Sequence, residues 1–205
     1  RGIHNGRLRY GHEKPWITHV SVQTGDMESG RQQRELFQKP VVFDEVCYEG
    51  NIPEPWGNIT AHELVHRFWQ GTAVGCYVGH GETYLHDEDI LWWAKGGVLH
   101  GESPARIAFL REILEAAPKG LDSLSDQWYD WSRQVGVEGE FYLLYFGVHA
   151  PCCWKRLQLP EDAKFQVDVI DTWEMTITPV GVMSGKTEIP LPSKPYMAVR
   201  AVRVK

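Results

Sequence analysis

The chain has 205 residues, a formal net charge of −6 and an apolar fraction of 42%. That is room for one large domain or two modest ones, with enough apolar side chain to build a real core. Charges of both signs are interspersed without a basic tract, which argues against a nucleic-acid partner, and no window is long and apolar enough to span a membrane.

The chain opens RGIHNGRLRY, with no Met and no signal peptide, as a processed piece would. Trp16–Val22 (WITHVSV) reads as a strand and Glu28–Phe37 as a short polar helix. Val41–Val46 (VVFDEV) reads as a second strand. Ala61–Gln70 (AHELVHRFWQ) reads as a helix whose Ala61, Leu64, Val65, Phe68 and Trp69 share one face. Thr60 and Glu63 stand at capping-box spacing in front of it. Ala73–Val78 reads as a third strand, and a long polar and aromatic loop follows from Gly79 to Glu102. Ser103-Pro104 then opens a helix with Ile107, Leu110, Ile113 and Leu114 on its apolar side, stopped by Pro118-Lys119-Gly120. Strands and helices alternate in the manner of a parallel α/β architecture.

After Gly120 the pattern changes. Phe141–Phe146, Phe165–Ile170, Trp173–Thr178 and Tyr196–Val204 read as strands separated by turn residues, an antiparallel unit most simply built as a small β-sandwich. Asp122–Gln134 is expected to be a connecting helical segment. The domain boundary falls near Leu121, dividing the chain into 1–120 and 121–205. Four cysteines, Cys47, Cys76, Cys152 and Cys153, lack framework spacing, so reduced thiols and a cytoplasmic location are expected.

His62-Glu63-Leu64-Val65-His66 is a literal HExxH on a helix, a spacing that can hold zinc with the glutamate as base. Glu63 already has a local use as cap partner of Thr60, both histidines are expected on the polar, solvent-facing side, and no third ligand is evident. A zinc-dependent hydrolase is therefore the weakest of the readings, and neither a metal nor a cofactor is expected.

In parallel α/β folds, ligands bind beyond the carboxyl ends of the strands. The polar residues at those ends are His19 and Gln23, then Asp44 and Glu45, then His80 and Glu82. A charged pair just past a buried run is costly unless it is paired or used. Residues alone leave Asp44 and Glu45 balanced between structural and catalytic roles. The chain also holds nine Trp and eight Tyr, several beside polar residues: Tyr48, Trp56, Tyr84, Trp92 and Trp93. Each is suited to stacking on a sugar ring or to ordinary packing.

The stretches RGIHNG, KPWITHVSVQ, KPVVFDEVCYEGN and LWWAKGGVLHGESPARIAFLREIL resemble the last strands and helices of a (β/α)8-barrel glycoside hydrolase of the bacterial DUF4038/DUF5605 type. EFYLLYFG, FQVDVIDTWEMTITP and LPSKPYMAVR resemble the β-sandwich that follows the barrel. The resemblance implies the C-terminal half of the barrel, strands 5 to 8, and a retaining mechanism with Glu45 as nucleophile at the end of the seventh strand. It also implies that His4, Asn5, His19, Gln23, Tyr48, Trp56, His80, Glu82, Tyr84, Trp92 and Trp93 line or border the carbohydrate site. The acid/base expected on the fourth strand is absent, so the isolated chain is expected to be inactive. Its open edges call for an N-terminal barrel half or a homodimer partner. The alternative is a non-catalytic carbohydrate-binding or scaffold protein.

Overall fold

The computed structural model describes Gly2, residues 10–85, 98–124 and 132–205. The chain divides into two compact units, Arg1–Ile107 and Ala108–Lys205.

The first unit begins with β1 (Val20–Gln23), α1 (Ser29–Phe37) and β2 (Val41–Glu45). β3 (Glu49–Gly50), α2 (Ala61–Ala73), β4 (Tyr77–Val78), β5 (Glu82–Thr83) and the start of α3 (Ser103–Glu115) follow. β1, β2 and β4 form a parallel sheet in that spatial order, and β3 pairs with β5 in a separate parallel ribbon. Val20 and Val22 stand opposite Val41 and Phe43, and all four are fully buried. β-branched and aromatic side chains suit this pleated face, and each contributes about 1.5–3 kcal/mol by leaving water. The alternate face carries Ser21, Val42, Asp44 and Tyr77. Tyr77, paired with Val42, is 66% exposed.

Two element ends differ from the sequence reading. The first strand starts at Val20, because Gly11–Ile17 is turned back on itself and Lys39 Nζ donates to the carbonyls of His12 and Lys14 at 2.5 and 2.8 Å. α2 runs on through Ala73, since nothing in QGTA stops it until Gly75 takes a left-handed φ of 77°. The strand after it is thereby shortened to Tyr77–Val78.

The second unit is antiparallel. It contains β6 (Asp122–Ser123), β7 (Arg133–Val137), β8 (Phe141–Tyr145), β9 (Cys153–Trp154) and β10 (Phe165–Asp171). β11 (Thr176–Met183), β12 (Ile189–Pro190) and β13 (Met197–Arg203) complete it. The sheet order is β11-β10-β13-β8-β7-β6, with β9 and β12 forming a two-stranded ribbon. Tyr142, Leu144, Phe165, Val167, Val199 and Ala201 form one buried cluster with Trp154, Leu157, Leu159 and Ile189 of the ribbon and its flanking chain. Pro179 sits at a bulge on the edge strand β11, where its missing N–H costs no ladder bond.

The expected helical segment at 122–134 is corrected at both described ends. Asp122 and Ser123 pair with Gly136 and Val135 as strands. Its residues 125–131 lie outside the described ones. Trp173 belongs to a turn rather than a strand, because Asp171 Oδ1 accepts the amides of both Trp173 and Glu174 and folds IDTWE back on itself. No helix among the described residues is long and apolar enough to cross a membrane.

Candidate active site

The carboxyl end of the parallel sheet is where its polar residues meet. Val22 faces Phe43 in register, but the next pair is Gln23 with Glu45, so a bulge separates the two. A bulge re-aims the side chains that follow it. It sets Asp44 and Glu45 to different tasks. The Ser21 hydroxyl donates to Asp44 Oδ2, tying Asp44 to the neighbouring strand.

Glu45 is met by Tyr48. Cys47 turns the chain with a left-handed φ of 65°, and the Tyr48 phenol comes back to hydrogen-bond the Glu45 carboxylate. Burial first, and then this carboxylate, hold the Tyr48 phenol well above the ordinary tyrosine range. The ring is fixed on two sides. It lies so close to Gly81 that a β-carbon there would be 2.6 Å from its Cδ1 and Cε1. It also meets Trp56 edge-on, with ring centroids 6.1 Å apart and planes at 86°. Trp56 is 39% exposed and offers an aromatic surface next to that tyrosine.

The β3–β5 ribbon carries a second group of carboxylates. Glu49 and Glu82 are direct cross-strand partners. Glu49 is buried; its Oε1 accepts the Tyr84 hydroxyl at 3.0 Å and the Glu102 amide at 2.8 Å, and its Oε2 accepts the Ser103 amide at 3.1 Å. Burial works to raise its pKa, but hydrogen bonds from Ser103, Glu102 and Tyr84 outweigh it and leave the carboxyl below its ordinary value. Glu82 Oε2 accepts the amides of His100 and Gly101 at 2.8 and 3.1 Å. His80 Nε2 lies 3.8 Å from Glu82 Oε1 and 3.4 Å from Ser103 Oγ. Burial pulls the His80 pKa down, against the opposing pull of Glu82 and Glu49.

Other sequence candidates are placed as follows. His19 is half-buried, with its Nδ1 3.0 Å from Thr18 Oγ1. Gln23 ends β1 beside Glu45. Tyr84 is held by Glu49 and stands edge-on to His100, with centroids 6.1 Å apart. His4, Asn5, Trp92 and Trp93 lie outside the described residues. The pairings of Glu49 with the Ser103 amide and of Glu82 with the Gly101 amide were missed. Their only signal in the sequence is the GESP that opens α3, which reads as a self-sufficient serine cap.

The HELVH helix is built for packing. Thr60 Oγ1 accepts the Glu63 amide at 3.1 Å, and Glu63 Oε1 accepts Arg67 Nε at 2.8 Å. Arg67 also donates to the Val46 carbonyl, just past β2. His62 is exposed, but His66 is buried, correcting the expectation that both face solvent, and burial holds its pKa down. No group of three or more His, Cys, Asp or Glu side chains among the described residues is arranged to hold a metal ion.

Residues 128–202 match the family described as Domain of unknown function (DUF5605). Among solved structures, one from Bacteroides vulgatus ATCC 8482, described as a "putative glycoside hydrolase", is 29% identical with a TM-score of 0.83. It is covered over 44% of its length by 98% of this chain. A glycoside hydrolase family 5 structure from the same organism is 14% identical with a TM-score of 0.72, covering 98% of this chain and 54% of that one. A third, described as "Glycoside hydrolase", is 12% identical with a TM-score of 0.70, covering 94% and 54%. No curated protein matches. The chain therefore has a glycoside hydrolase-like fold and spans about half the length of these structures.

Proposed function

We propose that this chain is the C-terminal part of a retaining glycoside hydrolase and that Glu45 is its nucleophile. In this reading β1, β2 and β4 are barrel strands 6, 7 and 8, residues 1–120 form the barrel half and residues 121–205 a β-sandwich. The observation that carries the reading is the Tyr48–Glu45 contact at the carboxyl end of the central strand of a parallel sheet, beside the exposed face of Trp56. The 66% exposed Tyr77, on the sheet face that a closed barrel would enclose, supports a missing half.

The chemistry has two steps. The Glu45 carboxylate attacks the anomeric carbon, the glycosidic C–O bond breaks, and a second carboxylic acid protonates the departing oxygen. Water then attacks the glycosyl-enzyme with that second residue as base, which restores Glu45 and retains configuration. Retention requires the two carboxyl groups about 5–5.5 Å apart. Glu49 is committed to holding backbone amides and is kept ionised, so it is a poor acid. Glu82 uses Oε2 to hold the amides of His100 and Gly101. The proton donor then belongs to the half preceding Arg1, and this chain alone binds carbohydrate without turning it over. His19, Gln23, Tyr48, Trp56, His80 and Tyr84, with His4, Asn5, Trp92 and Trp93, border the sugar in this reading.

The test joins this chain to the preceding half of its parent protein and follows hydrolysis of a panel of aryl glycosides by NMR. The first-formed sugar should keep its anomeric configuration, and Glu45→Gln should abolish turnover while leaving the fold intact. Inversion, or an active Glu45→Gln protein, overturns the proposal. Turnover by the isolated chain overturns the assignment of the acid to the other half.

A further inference from the structure

Four consecutive amides, those of His100, Gly101, Glu102 and Ser103, end on just two side chains, the Glu82 and Glu49 carboxylates. The two acids are paired across β3 and β5, so a short ribbon presents two negative groups side by side to one stretch of backbone. The approach is close: a β-carbon on Gly101 would lie 2.3 Å from Glu49 Oε2. The ribbon is itself held from behind. Thr83 Oγ1 donates to the Gly57 carbonyl at 2.6 Å, and Asn51 Oδ1 accepts the Leu85 amide at 2.8 Å. Repulsion between two buried carboxylates is offset by the donors each receives and by the helix start at Ser103.

The two acids are not equivalent. Both oxygens of Glu49 accept, from the Tyr84 hydroxyl and the Glu102 amide on one side and the Ser103 amide on the other. Among the described residues only Oε2 of Glu82 accepts a hydrogen bond; Oε1 is buried without a hydrogen-bond partner among them, and the whole side chain is 7% exposed. The nearest group to that oxygen across the ion-pair gap is His80 Nε2, at 3.8 Å.

We propose that Glu49 and Glu82 are positioning residues, forming a clamp that fixes His100–Ser103, and with it the Tyr84–His100 edge, and that only Glu49 has to be a carboxylate. Glu82→Gln can turn its oxygen to His100 and Gly101 and its NH2 to the place of Oε1, where no described residue donates a hydrogen bond. Glu49→Gln must set an NH2 group against a donor whichever way it turns. The clamp stands on its own geometry; only its effect on sugar binding rests on the glycosidase reading.

The pH response follows from the groups that face Glu49. Tyr84 of the segment after β5, Ser103 and Glu102 at the start of α3, and Glu82 and His80 beside it all surround that carboxylate. Its pKa is lowered in the fold, so the hold is complete above the ordinary glutamate value of 4.5 and is lost as pH falls through the folded one.

Amide hydrogen exchange on the full 205-residue chain tests this without any substrate. Glu49→Gln and Glu82→Ala should each speed exchange at residues 100–103 by about tenfold or more, while Glu82→Gln changes it by less than about threefold. Amides of β1, β2 and the second unit should keep their protection in all three variants. In the unsubstituted chain, protection at Glu102 and Ser103, corrected for the intrinsic exchange rate, should drop selectively on acidification below 4.5. Equal behaviour of Glu82→Gln and Glu82→Ala overturns the inference, as does unchanged protection in Glu49→Gln or a loss that spreads through β1 and β2. If Glu49→Gln fails to fold, the Glu82 pair and the acid titration still decide. A glycosidase reading that fails leaves these exchange results untouched.

Discussion

The phenol of Tyr48 donates a hydrogen bond to the carboxylate of Glu45, three residues earlier in the chain. Removing one donor from a charged acceptor costs about 1.5–3 kcal/mol. Tyr48→Phe should therefore lower unfolding stability by that order, read from urea denaturation. In a Glu45→Gln background the same substitution should cost about 1 kcal/mol less, since the acceptor is no longer charged. A double-mutant cycle with no coupling would mean the contact is incidental to the fold.

Gly81 sets where that phenol stands. A β-carbon at this position would lie 2.6 Å from two ring carbons of Tyr48. Gly81→Ala should push the ring off its seat and cost about 1–3 kcal/mol, the range for overpacking. Combining it with Tyr48→Ala, which removes the ring, should recover most of the loss. Strictly additive costs in denaturation would show that Gly81 is constrained by something other than Tyr48.

Tyr48 and Tyr84 are both half-buried against carboxylates, Glu45 and Glu49, and both phenols are held well above the ordinary tyrosine value of 10. The folded state thus keeps protons that the unfolded chain releases first. Stability contributed by these phenols is complete below pH 10 and falls as pH rises above it. Ultraviolet titration should show Tyr48 and Tyr84, together with Tyr142, ionising above the usual tyrosine range, with Tyr48 lagging less in Glu45→Gln. Simultaneous ionisation of all tyrosines in the folded protein would contradict the geometry.

The α/β and antiparallel halves were legible because periodicity is a local property. Val20, Val22, Val41 and Phe43 announce a buried strand face, and Leu64, Val65, Phe68 and Trp69 a helix face. FYLLYF shows no alternation, and β8 is in fact buried on both faces. The uses of the acids were not legible in the same way. Asp44, Glu45 and Glu49 sit within six residues, yet one binds Ser21, one meets Tyr48 and one holds the start of α3. A bulge at Gln23, a left-handed Cys47 and a partner 54 residues away decide among them. None of these leaves a pattern in the local residues. His66 was misjudged for a related reason: the buried stripe of α2 is broad enough to take in a histidine next to Val65.

In the second unit, Asp168 of β10 stands opposite Arg200 of β13, and Arg200 Nη2 reaches its Oδ2 at 2.6 Å. Asp168 is 3% exposed and also accepts Gln166 Nε2 at 3.0 Å. Breaking a buried pair from one side leaves an uncompensated charge and costs about 3–5 kcal/mol. Arg200→Met should destabilise the protein by that order in urea unfolding. Adding Asp168→Leu should recover much of it, because two apolar residues of similar volume leave no charge behind. A mild effect of Arg200→Met alone would mean water reaches Asp168.

The IDTW turn offers a separate acid-side test. Asp171 Oδ1 accepts the amides of Trp173 and Glu174 at 3.1 and 3.0 Å, and Oδ2 meets Lys194 Nζ at 2.5 Å. Burial works to raise the Asp171 pKa, but the amides and Lys194 overcome it and hold the carboxyl below its ordinary 3.8. Its contribution is then fully present above pH 3.8 and disappears as pH falls through the lowered value. Asp171→Asn keeps an oxygen for the two amides but loses the ion pair with an exposed lysine, which is worth about 0–1 kcal/mol at a surface. Asp171→Ala loses the turn as well and should cost about 1 kcal/mol more. Unfolding curves at pH 7 should rank the variants in that order. The difference between Asp171→Ala and the unsubstituted protein should shrink as the pH is lowered past 3.8. A difference that persists unchanged into strong acid would mean that the turn is held by packing around Thr172, whose hydroxyl donates to the Tyr196 carbonyl at 2.6 Å, and not by the carboxylate.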